Sequence, residues 1–235
     1  MSRLSKRARE MASKVDANKQ YTLQDAVALL KAQPPVKFDQ TVEVSFKLGV
    51  DSRKSDQNVR GTVSLPSGTG KKMLVLVLAK GDKVKEALQA GADFAGSDDL
   101  IEKISAGWTE FDAMIATPDM MRDVGKLGKV LGPRGLMPTP KAGTVTTDIA
   151  KAVQEIKAGK IEFKTDRFGV VNCPMGKLSF SADNLIANFR ALAMAVWRAK
   201  PATSKGHYFE RLHLSSTMGP GLKIDLNELE VAQAG

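Results

Sequence analysis

Between Lys72 and Lys80 lie seven apolar residues in succession, Met73-Leu74-Val75-Leu76-Val77-Leu78-Ala79. No polar position interrupts them, so a strand made from this run has to be covered on both faces, which is the situation of a strand inside a parallel sheet. Elsewhere the chain follows a different pattern. Residues 40–50 alternate in period two, with Val42, Val44, Phe46 and Leu48 on one side and Thr41, Glu43, Ser45 and Lys47 on the other. That is the signature of a half-exposed strand in an antiparallel sheet. One chain therefore contains two incompatible strand environments, and a single sheet cannot serve both.

The change of pattern locates the boundaries. After Pro66-Ser67-Gly68-Thr69-Gly70 strand and helix signals alternate: the apolar run, a helix over 83–90, a short strand at 93–95, a helix capped at Ser97, a strand over 111–116, a helix over 119–131 and a last helix from Thr147 or Asp148. Such alternation predicts a small α/β layer with a mainly parallel sheet. Ala158-Gly159 closes it, and period two returns in residues 160–166 and 170–173, which read as a hairpin. Residues 59–65 alternate as well and are expected to pair with residues 40–50. Thr22 and Ser181 open helices with apolar stripes, the second running to about Lys200. The economical arrangement is α+β, with residues 1–67 and 160–235 forming a discontinuous antiparallel domain and residues 68–159 an inserted α/β domain.

Composition then narrows the partner. Lys and Arg number 35 against 26 acids, a net charge of +9 and a pI near 9.6. This favours a polyanion, nucleic acid first and an anionic membrane second. No apolar run reaches the roughly 18 residues of a membrane span, and the basic start has no apolar signal region after it, so a cytoplasmic protein is expected. Residues 4–19 form a basic helix with Leu4, Ala8, Met11 and Val15 on one side; it reads as a nucleic-acid arm or as a surface helix docked by that stripe. Cys173 stands alone and, with His207 and His213, makes no convincing metal set.

Catalytic signatures fail on inspection. Gly68-Thr69-Gly70-Lys71-Lys72 has part of a phosphate loop, but Leu65 occupies the place of its first glycine and Lys72 that of the magnesium-binding hydroxyl. No G-x-G-x-x-G opens a helix after the apolar strand. No cofactor is expected. The rival function, a nucleotide-binding protein or enzyme using the inserted domain, lacks a complete motif.

Three loops offer binding chemistry instead. Ser215-Ser216-Thr217-Met218-Gly219-Pro220-Gly221 joins two strand signals and gathers hydroxyls, glycines and a bare methionine, a set suited to ribose and phosphate oxygens. A tight hairpin with a buried methionine is the plain alternative. Lys37-Phe38-Asp39-Gln40-Thr41 sets a cation beside an aromatic, as stacking next to a neutralised phosphate requires, unless Phe38 belongs to a core. Residues 132–143 crowd Arg134 and Lys141 among prolines and glycines, either for phosphate or as a solvated loop.

Six blocks carry a family resemblance: Lys37-Phe38, Leu48-Gly49-Val50-Asp51, Gly68-Thr69-Gly70-Lys71, Ala116-Thr117-Pro118-Asp119-Met120-Met121, Leu131-Gly132-Pro133-Arg134-Gly135-Leu136-Met137-Pro138 and Ser215-Ser216-Thr217-Met218-Gly219-Pro220-Gly221. In this order they resemble bacterial ribosomal protein L1 of the large subunit over essentially the whole chain. The resemblance implies a discontinuous RNA-binding domain carrying an inserted Rossmann-like three-layer α/β domain. It also implies a monomer when free, binding to ribosomal RNA in the mobile stalk beside the transfer-RNA exit site, help in releasing deacylated transfer RNA, and repression of the protein's own operon messenger. Carried across by position, the RNA contacts are Lys37, Phe38 and Thr41 with Ser216, Thr217, Met218 and Gly219, and Arg134 as a lesser contact. Gln40 stands where the family often has Glu, Thr139 where Asn is usual, and Asn172-Cys173-Pro174-Met175 replaces a commoner His-Ala-Pro-Ile.

Overall fold

The computed structural model describes residues 5–16 and 18–229. The chain opens with α1 (Lys6–Lys14), α2 (Leu23–Lys31), β1 (Thr41–Leu48) and β2 (Arg60–Ser64). Its middle holds β3 (Val75–Leu78), α3 (Asp82–Gln89), β4 (Phe94–Gly96), α4 (Asp98–Ser105), β5 (Ala113–Ala116), α5 (Met121–Lys126), α6 (Gly128–Leu131) and α7 (Ile149–Lys157). It ends with β6 (Lys160–Lys164), β7 (Val170–Lys177), α8 (Ala182–Arg198), β8 (Phe209–Ser216) and β9 (Leu222–Ile224). The fold is α+β, and the chain divides into two compact units, residues 1–70 with 161–235 and residues 71–160.

In the first unit β1 is an inner strand of a four-stranded sheet ordered β7-β1-β8-β9, antiparallel throughout. Its apolar alternation buries Val42, Val44, Phe46 and Leu48 completely. That face packs on α2 through Leu23, Val27 and Leu30, and on α8 through Leu185, Phe189, Leu192 and Val196. Phe46 stacks on Phe189 with ring centroids 6.2 Å apart. Thr22 and Ser181 cap these helices by accepting from the backbone N–H of Asp25 and Asn184, at 3.2 and 3.1 Å. Each cap satisfies a donor that a helix start otherwise leaves open.

One expected pairing is wrong, and another is shorter than expected. Residues 59–65 do not pair with β1, because β7 and β8 take both of its edges; β2 pairs with β6 in a separate two-stranded sheet. Residues 160–166 and 170–173 do fold back on each other, through the antiparallel bridge Thr165–Val171 and the Asp166 N–H donating to the Val170 carbonyl at 2.9 Å, but no longer ladder follows, because β7 joins β1. Alternation states which face a strand buries and leaves its partner open. The β2 glycine makes room for this pairing, since a Cβ on Gly61 would stand 2.6 Å from the Phe163 ring of β6.

The second unit explains the unbroken apolar run. Its sheet is parallel, ordered β4-β3-β5, and all four residues of β3 are fully buried. Leu76 and Leu78 enter one cluster with Leu100 and Ile104 of α4, Val124 of α5 and Leu131 of α6. Val75 and Val77 enter another with Ala87 of α3 and with Ile149 and Val153 of α7. Helices thus cover both faces, as a strand with no polar side demands. Residues 119–131 are not one helix: a 3-10 turn, Pro118–Met120, precedes α5, and Leu127 separates α5 from α6. Gly125 and Gly128 weaken helix propensity at that break. Ser97 occupies the N-cap of α4 without a side-chain hydrogen bond, whereas Asp148 caps α7 by accepting from the Lys151 N–H. Among the described residues no helix is long and apolar enough to cross a membrane.

Candidate nucleic-acid interface

The candidate surface forms where β1 begins and β8 ends. Antiparallel register sets Val42 opposite Ser216, so Thr41 and Thr217 come together at the sheet's end. The Thr217 N–H donates to the Thr41 carbonyl at 3.0 Å, and the Thr217 hydroxyl accepts from the Thr41 N–H at 3.0 Å. The same hydroxyl also donates to the Thr41 carbonyl at 3.3 Å. Two segments distant in sequence are thereby laced side by side, one leading into β1 and the other out of β8.

Two large apolar side chains stand clear of this frame. Phe38 is 53% exposed and Met218 is 51% exposed, so neither is core and the buried-methionine reading fails. Exposed apolar groups beside cations can lie on a base or ribose while lysines neutralise the adjoining phosphates. Lys37 is exposed beside Phe38. Thr41, half-buried, accepts through its hydroxyl from the Lys177 ammonium at 3.0 Å.

The third hydroxyl is not presented. Ser216 is only 5% exposed, and its Oγ is buried with no hydrogen-bond partner among the described residues. It sits beneath Gly219, where a Cβ would fall 2.2 Å from it. Strand alternation gives the reason: Ser216 continues the inward face of Leu212 and Leu214. Its role here is to be covered by Gly219, and the expectation that it offers a hydroxyl to a ligand is corrected. Thr217 is exposed, yet its hydroxyl is engaged with Thr41.

Several residues that shape the surface escaped the sequence reading. Buried Gln40 accepts from the Met218 N–H at 2.9 Å through its side-chain carbonyl, and so fixes the loop that carries the methionine. Asp39 is held by Ser179, whose hydroxyl donates to it at 2.7 Å, and Lys31 donates to the Phe180 carbonyl. Arg7 of α1 donates through Nη2 to the Met218 carbonyl at 3.2 Å. These partners lie 149 to 211 positions apart in several cases, and only the inward position of a polar Gln40 next to β1 hinted at such a role. Arg134 lies in the other unit, exposed, with its guanidinium donating to the Thr109 hydroxyl.

The remaining chemical candidates are accounted for. Cys173 is buried, and burial pushes its thiol up to about 12, so it stays protonated and unreactive. Lys71, the lysine of the incomplete phosphate loop, pairs with Asp112 at 2.5 Å. Among the described residues no group of three or more His, Cys, Asp or Glu could hold a metal.

The model of the ribosomal protein L1p/L10e family matches residues 29–220, which include both loops of the surface. The chain belongs to that family. A large ribosomal subunit protein uL1 from Protochlamydia amoebophila is 70% identical over 232 residues, 99% of this chain and 98% of the relative. The proteins of that name from Chlamydia pneumoniae and Macrococcus caseolyticus are 59% and 55% identical, each over 97% of this chain and 99% of the relative. The L1 resemblance carried by the six sequence blocks therefore holds along nearly the whole chain. Membership of a family of ribosomal structural proteins means that the chain is not an enzyme.

Proposed function

We propose that this chain, as a constituent of the large ribosomal subunit, binds large-subunit ribosomal RNA through the surface built on Lys37, Phe38, Thr41, Thr217, Met218 and Gly219. The observation that carries the reading is the juxtaposition of exposed Phe38 and Met218 by the β1–β8 pairing, in a chain of the L1 family. Folded RNA is recognised largely by shape, through ribose, backbone and stacking contacts, with cations supplying the salt-dependent part. The division of labour is part of the proposal: residues 1–67 and 160–235 form the RNA-binding domain, and residues 68–159 the inserted domain, with Arg134 as a lesser contact. Ser216 contributes by supporting Gly219. We further assign the RNA to the mobile stalk near the exit site, where a monomer would assist release of deacylated transfer RNA. The chain's own operon messenger would compete for the same surface.

The test is binding of the purified protein to stalk RNA and to a scrambled RNA of equal length across a salt series. Stalk RNA should bind far more tightly, and Phe38→Ala and Met218→Ala should each weaken it while leaving thermal unfolding unchanged. Equal binding of both RNAs, collapsing with salt, would mean that net charge alone was at work.

A further inference from the structure

We propose that α1 is a third arm of the RNA surface, with the Arg7 guanidinium grasping a phosphate of the RNA that lies against Met218. This rests on the RNA-binding reading of the Met218 loop. The helix is an unusual component of the unit, because none of its nine residues is buried. Of the stripe expected to dock it, Leu4 lies outside the described residues, and Ala8, Met11 and Val15 are only half-buried. A helix of this length is marginal without tertiary support. Val15 packs at the core's margin, and polar contacts also hold the helix: Lys14 donates to the Ala32 carbonyl at 3.4 Å, and Arg7 to the Met218 carbonyl at 3.2 Å.

Arg7 is incompletely satisfied in that position. Its Nε is buried and has no acceptor among the described residues. A buried donor without a partner is unfavourable, and a guanidinium offers a planar fork matched to phosphate oxygens. An RNA lying on Met218 would bring such oxygens to the guanidinium. The surroundings favour the same occupant, since α1 carries Lys6, Arg7, Arg9 and Lys14 against one acid, Glu10, and that acid is paired with Lys14 at 3.0 Å. The helix also precedes residues 29–220, the stretch that the family model matches. Its cationic face is continuous with the proposed surface through the Arg7–Met218 hydrogen bond.

The experiment compares the full-length chain with Arg7→Ala and Arg7→Lys, titrating stalk RNA over a range of salt concentrations. Loss of one phosphate contact should reduce the log–log salt slope of Arg7→Ala by roughly 0.7–0.9. Affinity at low salt should fall about tenfold, as for a charge-assisted hydrogen bond. Arg7→Lys should keep the slope and recover part of the affinity. Hydrogen exchange over residues 6–14 of the unsubstituted chain should slow when RNA is added. A weaker complex with an unchanged slope would reduce Arg7 to a brace for the Met218 carbonyl, and unaltered exchange would remove α1 from the interface; either overturns the proposal. If the unsubstituted chain does not prefer stalk RNA to a scramble, the RNA reading itself fails, an outcome separable from a failure of the slope.

Discussion

Gly219→Ala would place a methyl group 2.2 Å from the Ser216 Oγ, far inside van der Waals contact. The backbone of Gly219 is not left-handed, so alanine suits its conformation and the penalty is steric alone. Overpacking of this kind costs about 1–3 kcal/mol. The obstruction is one atom, since the next nearest are the Ser216 Cβ at 3.4 Å and the Leu30 Cδ2 at 3.7 Å. Ser216→Ala removes that atom, and because the hydroxyl has no partner among the described residues, the single change should be nearly neutral or stabilising. The double variant should then recover most of the loss, with a coupling of about 1–2 kcal/mol. Urea unfolding followed by circular dichroism measures the cycle, and titration with stalk RNA supplies a second reading of it. Affinity should fall in Gly219→Ala, as the displaced loop carries Met218 with it, and return in the double variant. Simple additivity, with the double variant as impaired as the sum of its parts, would refute the claim that Ser216 is the floor of the loop.

Other consequences are as direct. Thr217→Ala removes a hydroxyl that both accepts from and donates to the Thr41 backbone, so it should destabilise the unit by about 1 kcal/mol, whereas Thr217→Ser should not; equal midpoints for all three proteins in urea would contradict this. Asn188, wholly buried on α8, accepts from the Ser67 N–H at 3.0 Å and donates to the Gly68 and Met175 carbonyls at 3.0 and 2.8 Å. Asn188→Ala leaves three backbone groups without that partner and should cost about 3 kcal/mol, seen as a clear fall in the urea midpoint. Asp93 accepts from the Val75 N–H at 2.9 Å and pairs with Lys157 at 3.1 Å. The backbone donor chiefly, with Lys157 adding, holds its carboxyl below the usual range. Because the folded pKa is the lower, this stabilisation is present above the ordinary carboxylate range and is lost as pH falls through the folded value. Acid titration of Asp93→Asn should therefore show a shallower loss of stability than the unsubstituted chain; parallel acid limbs would exclude the assignment.

The two environments of β1 and β3 were legible from side-chain order because burial acts on every residue along a strand. Val42, Val44, Phe46 and Leu48 announce one covered face, and Val75 through Leu78 announce two. The caps at Thr22, Ser181 and Asp148 were readable for a similar reason: donor and acceptor lie three residues apart. The pairing of β2 with β6 was not readable, since alternation in residues 59–65 fits any neighbour of the right polarity. The surface divides along the same line. Lys37, Phe38 and Met218 could be singled out as types of residue, while the burial of Ser216 and the supporting bonds of Gln40, Lys177 and Arg7 could not.

By itself the order of residues determined the strand environments of β1 and β3, the position of the α/β insertion and the kinds of side chain offered at the candidate surface. These depend on periodicity and on interactions spanning a few positions. Tertiary structure decided which strands became neighbours, which hydroxyl was turned inward, and that residues 7, 40 and 218 would share one loop's backbone. Those outcomes depend on hydrogen bonds across 178 and 211 positions, and such bonds exist only after the sheet has chosen its register.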